Sequence, residues 1–184
     1  MKILGTIVDS KLSWDENCQH LIKKVNMRMQ LLKSVRSFGA SNEEMVHLWI
    51  LFCRSVLEQS CVLWHNSLTQ ENADDLERTQ KSFVKMVLKE KYVDYDKSLM
   101  LLNLEKLEER RNSLSLKFAK SGIKHKKLED LFPINKKEHK MNTRETDKFQ
   151  VLFSNTERLK NSSIPTMQNY LNDEERQMRK RKFG

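Results

Sequence analysis

Ser41-Asn42-Glu43-Glu44 stands directly before the most apolar stretch of the chain, Met45 to Val56. The four residues form a capping box. The Ser41 hydroxyl can accept the Glu44 backbone N–H, and the Glu44 carboxylate can reach back to the N–H of Ser41. A helix is expected to begin here. Leu48, Trp49, Ile50, Leu51 and Phe52 follow one another without a polar break, so the helix is apolar on most sides and is expected at the centre of a core. The rest of the chain has to supply elements that cover it.

Those elements read as helices as well. Ser13-Trp14-Asp15-Glu16 is a second capping box, with Ser13 as N-cap. Cys18, Leu21, Ile22, Val25, Met29 and Leu32 then follow at helical spacing, and Gly39 closes the helix. A third helix starts near Thr69, with Glu71, Asp74 and Asp75 early and Lys85 and Lys89 late, a polarity that complements the helix dipole. Ala73, Leu76, Phe83 and Val87 share one of its faces. Arg78, Lys81, Lys85 and Lys89 fall within a narrow arc of the opposite face at roughly 100° per residue. A loop around Tyr92 to Tyr95 leads to a short helix through Leu99, Leu101 and Leu102. Another helix runs from about Glu105 to Ser121 and stops at Gly122. A turn of helix at Leu128 to Leu131 ends before Pro133.

With only four Gly and two Pro in 184 residues, a turn-rich β architecture is excluded. The expected fold is mainly α, a bundle of about five helices. The exception is Ile3 to Val8, short, β-branched and bounded by Asp9-Ser10, which reads as one strand. A lone strand cannot satisfy its backbone, so its sheet is expected to lie outside this sequence. Beyond Pro133 the residues are mostly Lys, Asn, Thr, Ser and Glu. Residues 134–184 therefore read as a loosely ordered basic tail, anchored locally at Val151-Leu152-Phe153 and at Ile164 to Leu171. The expected divisions are 1–13 (strand), 14–132 (helical region) and 133–184 (tail).

A formal net charge of +9 points to a polyanionic partner, most simply nucleic acid, with a basic protein that has no such partner as the plain alternative. Cys18, Cys53 and Cys61 form no C-x-x-C pair and leave one thiol odd, which suits a reducing intracellular compartment, nucleus or cytoplasm. No signal peptide or long uncharged apolar run is present, so no membrane partner is expected.

Several short motifs occur in a fixed order. Arg54-Ser55-Val56-Leu57-Glu58 is followed by Trp64-His65-Asn66-Ser67-Leu68 and then by Leu76-Glu77-Arg78-Thr79-Gln80-Lys81. Upstream stand Leu4-Gly5-Thr6-Ile7-Val8-Asp9 and Leu12-Ser13-Trp14. Downstream come Leu101-Leu102-Asn103-Leu104-Glu105-Lys106-Leu107-Glu108-Glu109-Arg110-Arg111, Leu131-Phe132-Pro133, Ser162-Ser163-Ile164-Pro165 and Leu171-Asn172. In this order and spacing the chain resembles, from Ile3 to Asn172, the end of the palm, the thumb and the following helical region of reverse transcriptases of jockey-like non-LTR retrotransposons. It departs from the family pattern at Ile3, where a Phe is usual, and at Glu105, where a Pro is common. The resemblance implies a non-catalytic fragment of an RNA-directed DNA polymerase that contacts a template–primer duplex. Its partners would be that RNA or DNA backbone and the palm and fingers of the parent protein. Duplex is gripped through phosphates, which call for Lys and Arg on a rigid face. Arg78, Lys81, Lys85 and Lys89 fit that need, and so do Lys23, Lys24 and Arg28 on the first helix. The alternative is a helical interaction module, retained or decayed, whose basic faces are merely solvated.

Other chemistry is thinly represented. Polymerisation requires divalent ions held by carboxylates that converge from separate strands. Ala73-Asp74-Asp75 looks like part of the family's aromatic-Ala-Asp-Asp motif, but Asn72 replaces the aromatic residue and a helix continues after it. These acids are expected to complement the dipole, and no cofactor is expected in this chain, Mg²⁺ belonging to the intact parent. Cys61 and His65 have a ligand-like spacing without a second pair, and read as a buried thiol and a connector histidine. His20, His47, His125 and His139 are scattered, and there is no Gly-rich phosphate loop. Trp14, Trp49 and Trp64 read as core anchors rather than base-stacking platforms. Arg176, Arg179, Lys180, Arg181 and Lys182 form a basic terminus with a nucleic-acid contact, a nuclear localisation signal or simple solvation as its readings.

Overall fold

The computed structural model describes residues 1–135 and 147–183. His139 therefore lies outside the described residues. The chain divides into two compact units, Met1–Cys61 with Leu68–Arg111, and Val62–Ser67 with Asn112–Gly184. Residues 1–13 thus group with the first unit, and residues 112–132 group with the C-terminal residues rather than with the preceding helices.

The segment expected to be one strand folds on itself. Strands β1 (Lys2–Ile3) and β2 (Thr6–Ile7) pair antiparallel, with Lys2 opposite Ile7 and Ile3 opposite Thr6. Leu4 and Gly5 turn the chain with φ of +48° and +87°, the two-residue geometry that matches strand twist. Only glycine suits the second position, because an added Cβ would also run into the Gln59 side-chain amide. The hairpin is held by Gln59, which donates to the Leu4 carbonyl at 3.0 Å, and by Asn17, whose Oδ1 accepts the Ile7 N–H at 3.0 Å.

Four helices build the rest of the first unit: α1 (Asp15–Ser37), α2 (Asn42–Leu57), α4 (Gln70–Leu88) and α5 (Tyr95–Leu101). Between α2 and α4 lies the short connector helix α3 (Cys61–Ser67). Helix α6 (Leu107–Ile123) contributes its first residues to this unit. The capping box of α2 forms as expected, with Glu44 N–H on Ser41 Oγ at 3.2 Å and Ser41 N–H on Glu44 Oε2 at 2.7 Å. That of α1 does not. The charged Asp9 carboxylate takes both the Ser13 hydroxyl and the Ser13 N–H (2.9 Å), and buried Trp14, left-handed at φ +67°, begins the helix. A carboxylate is the stronger acceptor, so Ser13 turns back towards it.

Helices α1 and α4 lie side by side and run parallel. Asn72 donates to Asp15 at 2.6 Å at their starts, and Arg36 reaches the Val87 carbonyl at 3.3 Å near their ends. Against them α2 buries Met45, Trp49, Cys53, Val56 and Leu57, and Trp49 stacks on Phe83 with ring centroids 4.5 Å apart. The expectation that this helix, apolar on most sides, is the central buried one holds for one side of it. Leu51 and Phe52 remain 67% and 54% exposed, because neighbours cover only one side of a helix whose apolar run points in all directions. Residues Trp49–Arg54 form a π-helical turn, and the Arg28 guanidinium donates to the Phe52 carbonyl there.

The second unit packs the later part of α6 with α7 (Glu157–Lys160) and α8 (Ser163–Phe183). Its core holds Ala119, Phe132, Phe149, Met167 and Leu171, with Val62, Leu116 and Ile123 packed against them. Helix α6 ends at Ile123, one residue past the stop expected at Gly122, and a Cβ added to Gly122 would come within 2.7 Å of the Phe132 ring. The region read as a loosely ordered tail contains the 21-residue helix α8. Two buried amides explain how so polar a stretch is held. Asn172 bonds both the N–H (2.9 Å) and the carbonyl (3.0 Å) of Phe149, and Gln168 accepts from Leu152 N–H (2.8 Å) and donates to the Leu131 carbonyl (2.7 Å). The Ile164 to Leu171 anchor is buried at Met167 and Leu171, whereas the anchor expected at Val151-Leu152-Phe153 lies at Phe149 instead, with Leu152 and Phe153 exposed. No single helix among the described residues is long and apolar enough to cross a membrane.

Candidate nucleic-acid interface

The inner face of α4 is fixed by Leu76, Phe83, Val84 and Val87, all buried, and its N-terminus is capped by Thr69, whose side chain accepts the Asn72 N–H at 3.2 Å. Arg78, Lys81 and Lys85 are therefore displayed on the outer face of a 19-residue helix that cannot easily rotate, and all three are exposed. From Arg78 to Lys89 no acidic residue interrupts the sequence. Lys89 leaves the stripe. The helix ends at Leu88, and Lys89 takes a left-handed φ of +49° at the start of a 3₁₀ turn.

Each cation on this face has a definite neighbour. Arg78 pairs with Asp75 at 2.6 Å, one turn back on the same helix. The Lys81 ammonium lies 5.8 Å from the Tyr95 ring centre and that of Lys85 lies 5.3 Å from the Tyr92 ring centre. Tyr92 in the loop after α4 and Tyr95 at the start of α5 thus supply aromatic faces beside the lysine heads. Sequence reading missed these partners. The i,i+3 spacing of Asp75 and Arg78 was a visible signal, whereas the placement of the tyrosines depends on how the loop turns.

The three cations of α1 do not act as one group. Lys23 and Lys24 diverge by about 100°, as neighbours on a helix must. Lys23 lines an open cleft of ≈ 500 Å³ with Gln19, Asn26, Gln30 and Asp75, so it lies on the α4 side. Arg28 turns to the other side and is engaged by the Phe52 carbonyl of α2. Lys24 lies by His20, whose pKa is lowered, first by burial and then by the charges of Lys24, Lys2 and Lys23. The structure groups Lys23 with Arg78 around Asp75 and separates Arg28 from them.

The remaining motif residues meet inside the first unit. Gln80 is fully buried; it accepts from Trp49 Nε1 at 3.4 Å and donates to the Tyr95 hydroxyl (3.1 Å) and the Glu105 carbonyl (2.9 Å). Glu77 accepts from the Tyr95 hydroxyl and from the Leu107 N–H at 3.0 Å, and so caps α6. Arg111 is fully buried; burial lowers its pKa, and the Glu77 charge opposes that shift. Burial, followed by the bond to Glu77, raises the Tyr95 phenol. Glu58 pairs with Arg54 at 3.6 Å and with Arg110 at 2.5 Å. In the second unit, His65 is buried and donates from Nε2 to Asn112 Oδ1 at 2.8 Å, an oxygen that also accepts from the Tyr170 hydroxyl at 2.9 Å. Trp14, Trp49 and Trp64 are all core residues.

Asp74 and Asp75 lie on the first turns of α4, Asp74 accepting from Gln70 at 2.9 Å. Among the described residues no group of three or more His, Cys, Asp or Glu could hold a metal ion. Arg176 of the basic terminus pairs with Asp147 at 2.6 Å and Asp173 at 3.3 Å. Compared with known proteins, the chain matches no protein family, no curated protein and no solved structure.

Proposed function

We propose that the chain is the thumb-like helical part of an RNA-directed DNA polymerase, without catalytic groups of its own, and that the outer face of α4 grips the phosphate backbone of template–primer nucleic acid. The observation that carries this reading is the row Arg78, Lys81 and Lys85 on one exposed face of a helix locked by its buried side. Phosphate contacts position a duplex without reading its sequence, and a rigid cationic row is sufficient for that. Lys23, across the cleft at Asp75, extends the row onto α1. Three buried free thiols suit the reducing compartment in which such a protein would work.

Duplex affinity measured across a salt series tests the reading. Each phosphate contact contributes about −0.9 to the slope of log K against log[salt]. Replacing Arg78, Lys81 and Lys85 together by Ala is expected to flatten the slope by about 2 to 3. A triple variant that keeps the wild-type slope would remove α4 as the contact surface.

A further inference from the structure

Helix α1 carries two apolar stripes, and the first unit buries only one of them. Cys18, Leu21, Val25, Met29 and Leu32 face the core. Met27, Leu31, Val35 and Phe38 follow a second line, 59%, 68%, 37% and 90% exposed. This line is continued by α2. Arg28 bonds the Phe52 carbonyl, and Val35 and Phe38 line one cleft with Glu44 and Leu48, so exposed Leu51 and Phe52 border the same face. The exposed fractions of the six residues correspond to roughly 700 Å² of apolar surface, above the roughly 300–600 Å² of the largest patch on a typical monomer. They approach the roughly 800 Å² that each partner buries in a stable pair.

The charges around this face are arranged end to end. His20 and Lys24 lie before Met27, whereas Glu44 lies beside Phe38 at the other end. A two-fold axis at Leu31, midway between Lys24 and Phe38, would set the basic end of one copy against the acidic end of the other. It would place Met27 against Val35 of the second copy and Leu31 against itself. An isologous interface requires such self-complementarity. We infer that this chain forms a two-fold dimer through the outer face of α1 and the flank of α2, with the two α1 helices antiparallel.

The test uses the full chain in sedimentation over a wide dilution series, where a dimer shows a concentration-dependent mass. Leu31 lies at the axis and counts twice, so Leu31→Glu is expected to weaken association by at least about 30-fold. Because Leu31 is exposed, that variant should keep its helical circular dichroism. Leu31→Cys is expected to give a disulfide-linked dimer on mild oxidation, and Met100→Cys, exposed on α5, is not. A wild-type chain that stays monomeric at every concentration would overturn the inference. So would a dimer that survives Leu31→Glu unchanged, or equal cross-linking of the Leu31→Cys and Met100→Cys variants, and so would a monomer whose face is filled instead by an added amphipathic peptide.

Discussion

Gln80 shows how much one buried polar side chain can organise. Its amide joins α2 through Trp49, the α5 start through Tyr95 and the approach to α6 through the Glu105 carbonyl. Replacing it by Leu keeps the volume but leaves the Trp49 N–H and the Glu105 carbonyl buried without these partners. Each such group costs about 1–3 kcal/mol. Gln80→Leu is therefore expected to destabilise by about 2–4 kcal/mol in urea unfolding, while Lys81→Ala, one residue on and exposed, should stay within about 0.5 kcal/mol. Cys18 offers a second handle at this scale. Burial pushes its thiol from 9.0 up to about 12, with Arg111 opposing and Asp15 adding to the shift. Above pH 9 the unfolded chain loses this proton while the folded chain keeps it, so stability should fall as pH rises from 9 towards 12. Cys18→Ala should lessen that alkaline slope, read by chemical unfolding at a series of pH values, and Cys18 itself should resist alkylation until the chain unfolds.

At the scale of elements, the sequence was a good guide where a local signal had no competitor. Ser41 and Glu44 form their box, Thr69 caps α4, and Gly39 at φ +94° closes α1. It misled where a local signal met a non-local partner. The Ser13 box has the same letters, yet Asp9 draws Ser13 away. Helix α8 was hidden because its stability rests on Gln168 and Asn172 bonding an extended segment far off in sequence, a contact that composition does not reveal. The candidate site was legible in part for the same reason. Helical periodicity alone puts Arg78, Lys81 and Lys85 on one face, whereas Lys89 and Arg28 depend on where the helix ends and on what α2 presents. Ser41→Ala and Ser13→Ala separate the two situations. The first removes a true N-cap and should cost about 1 kcal/mol with loss of protection at the first amides of α2 in hydrogen exchange. The second should leave the first turn of α1 protected, because Trp14 and not Ser13 precedes it and accepts no side-chain cap bond.

For the whole molecule, the proposed binding of nucleic acid could rest on the net charge of +9 as a diffuse cloud or on one organised face. Both readings predict that duplex raises the melting temperature at low salt, since a ligand that binds the folded chain stabilises it, and that the effect fades as salt rises. They differ in what a single removed carboxylate does. Asp75→Asn and Glu157→Gln each raise the net charge by the same amount. Asp75 holds Arg78 at 2.6 Å within the proposed contact face, whereas Glu157 is an exposed residue of α7 paired with Lys160 at 3.4 Å. Exposed pairs of this kind contribute only about 0–1 kcal/mol, so neither change should move the melting temperature of the free chain much. If the outer face of α4 is the contact surface, Asp75→Asn releases Arg78 towards phosphate, steepens the salt slope and enlarges the duplex-induced thermal shift, and Glu157→Gln leaves both as they are. Equal gains from the two variants would mean that charge acts without regard to place, and the helical face would lose its special role.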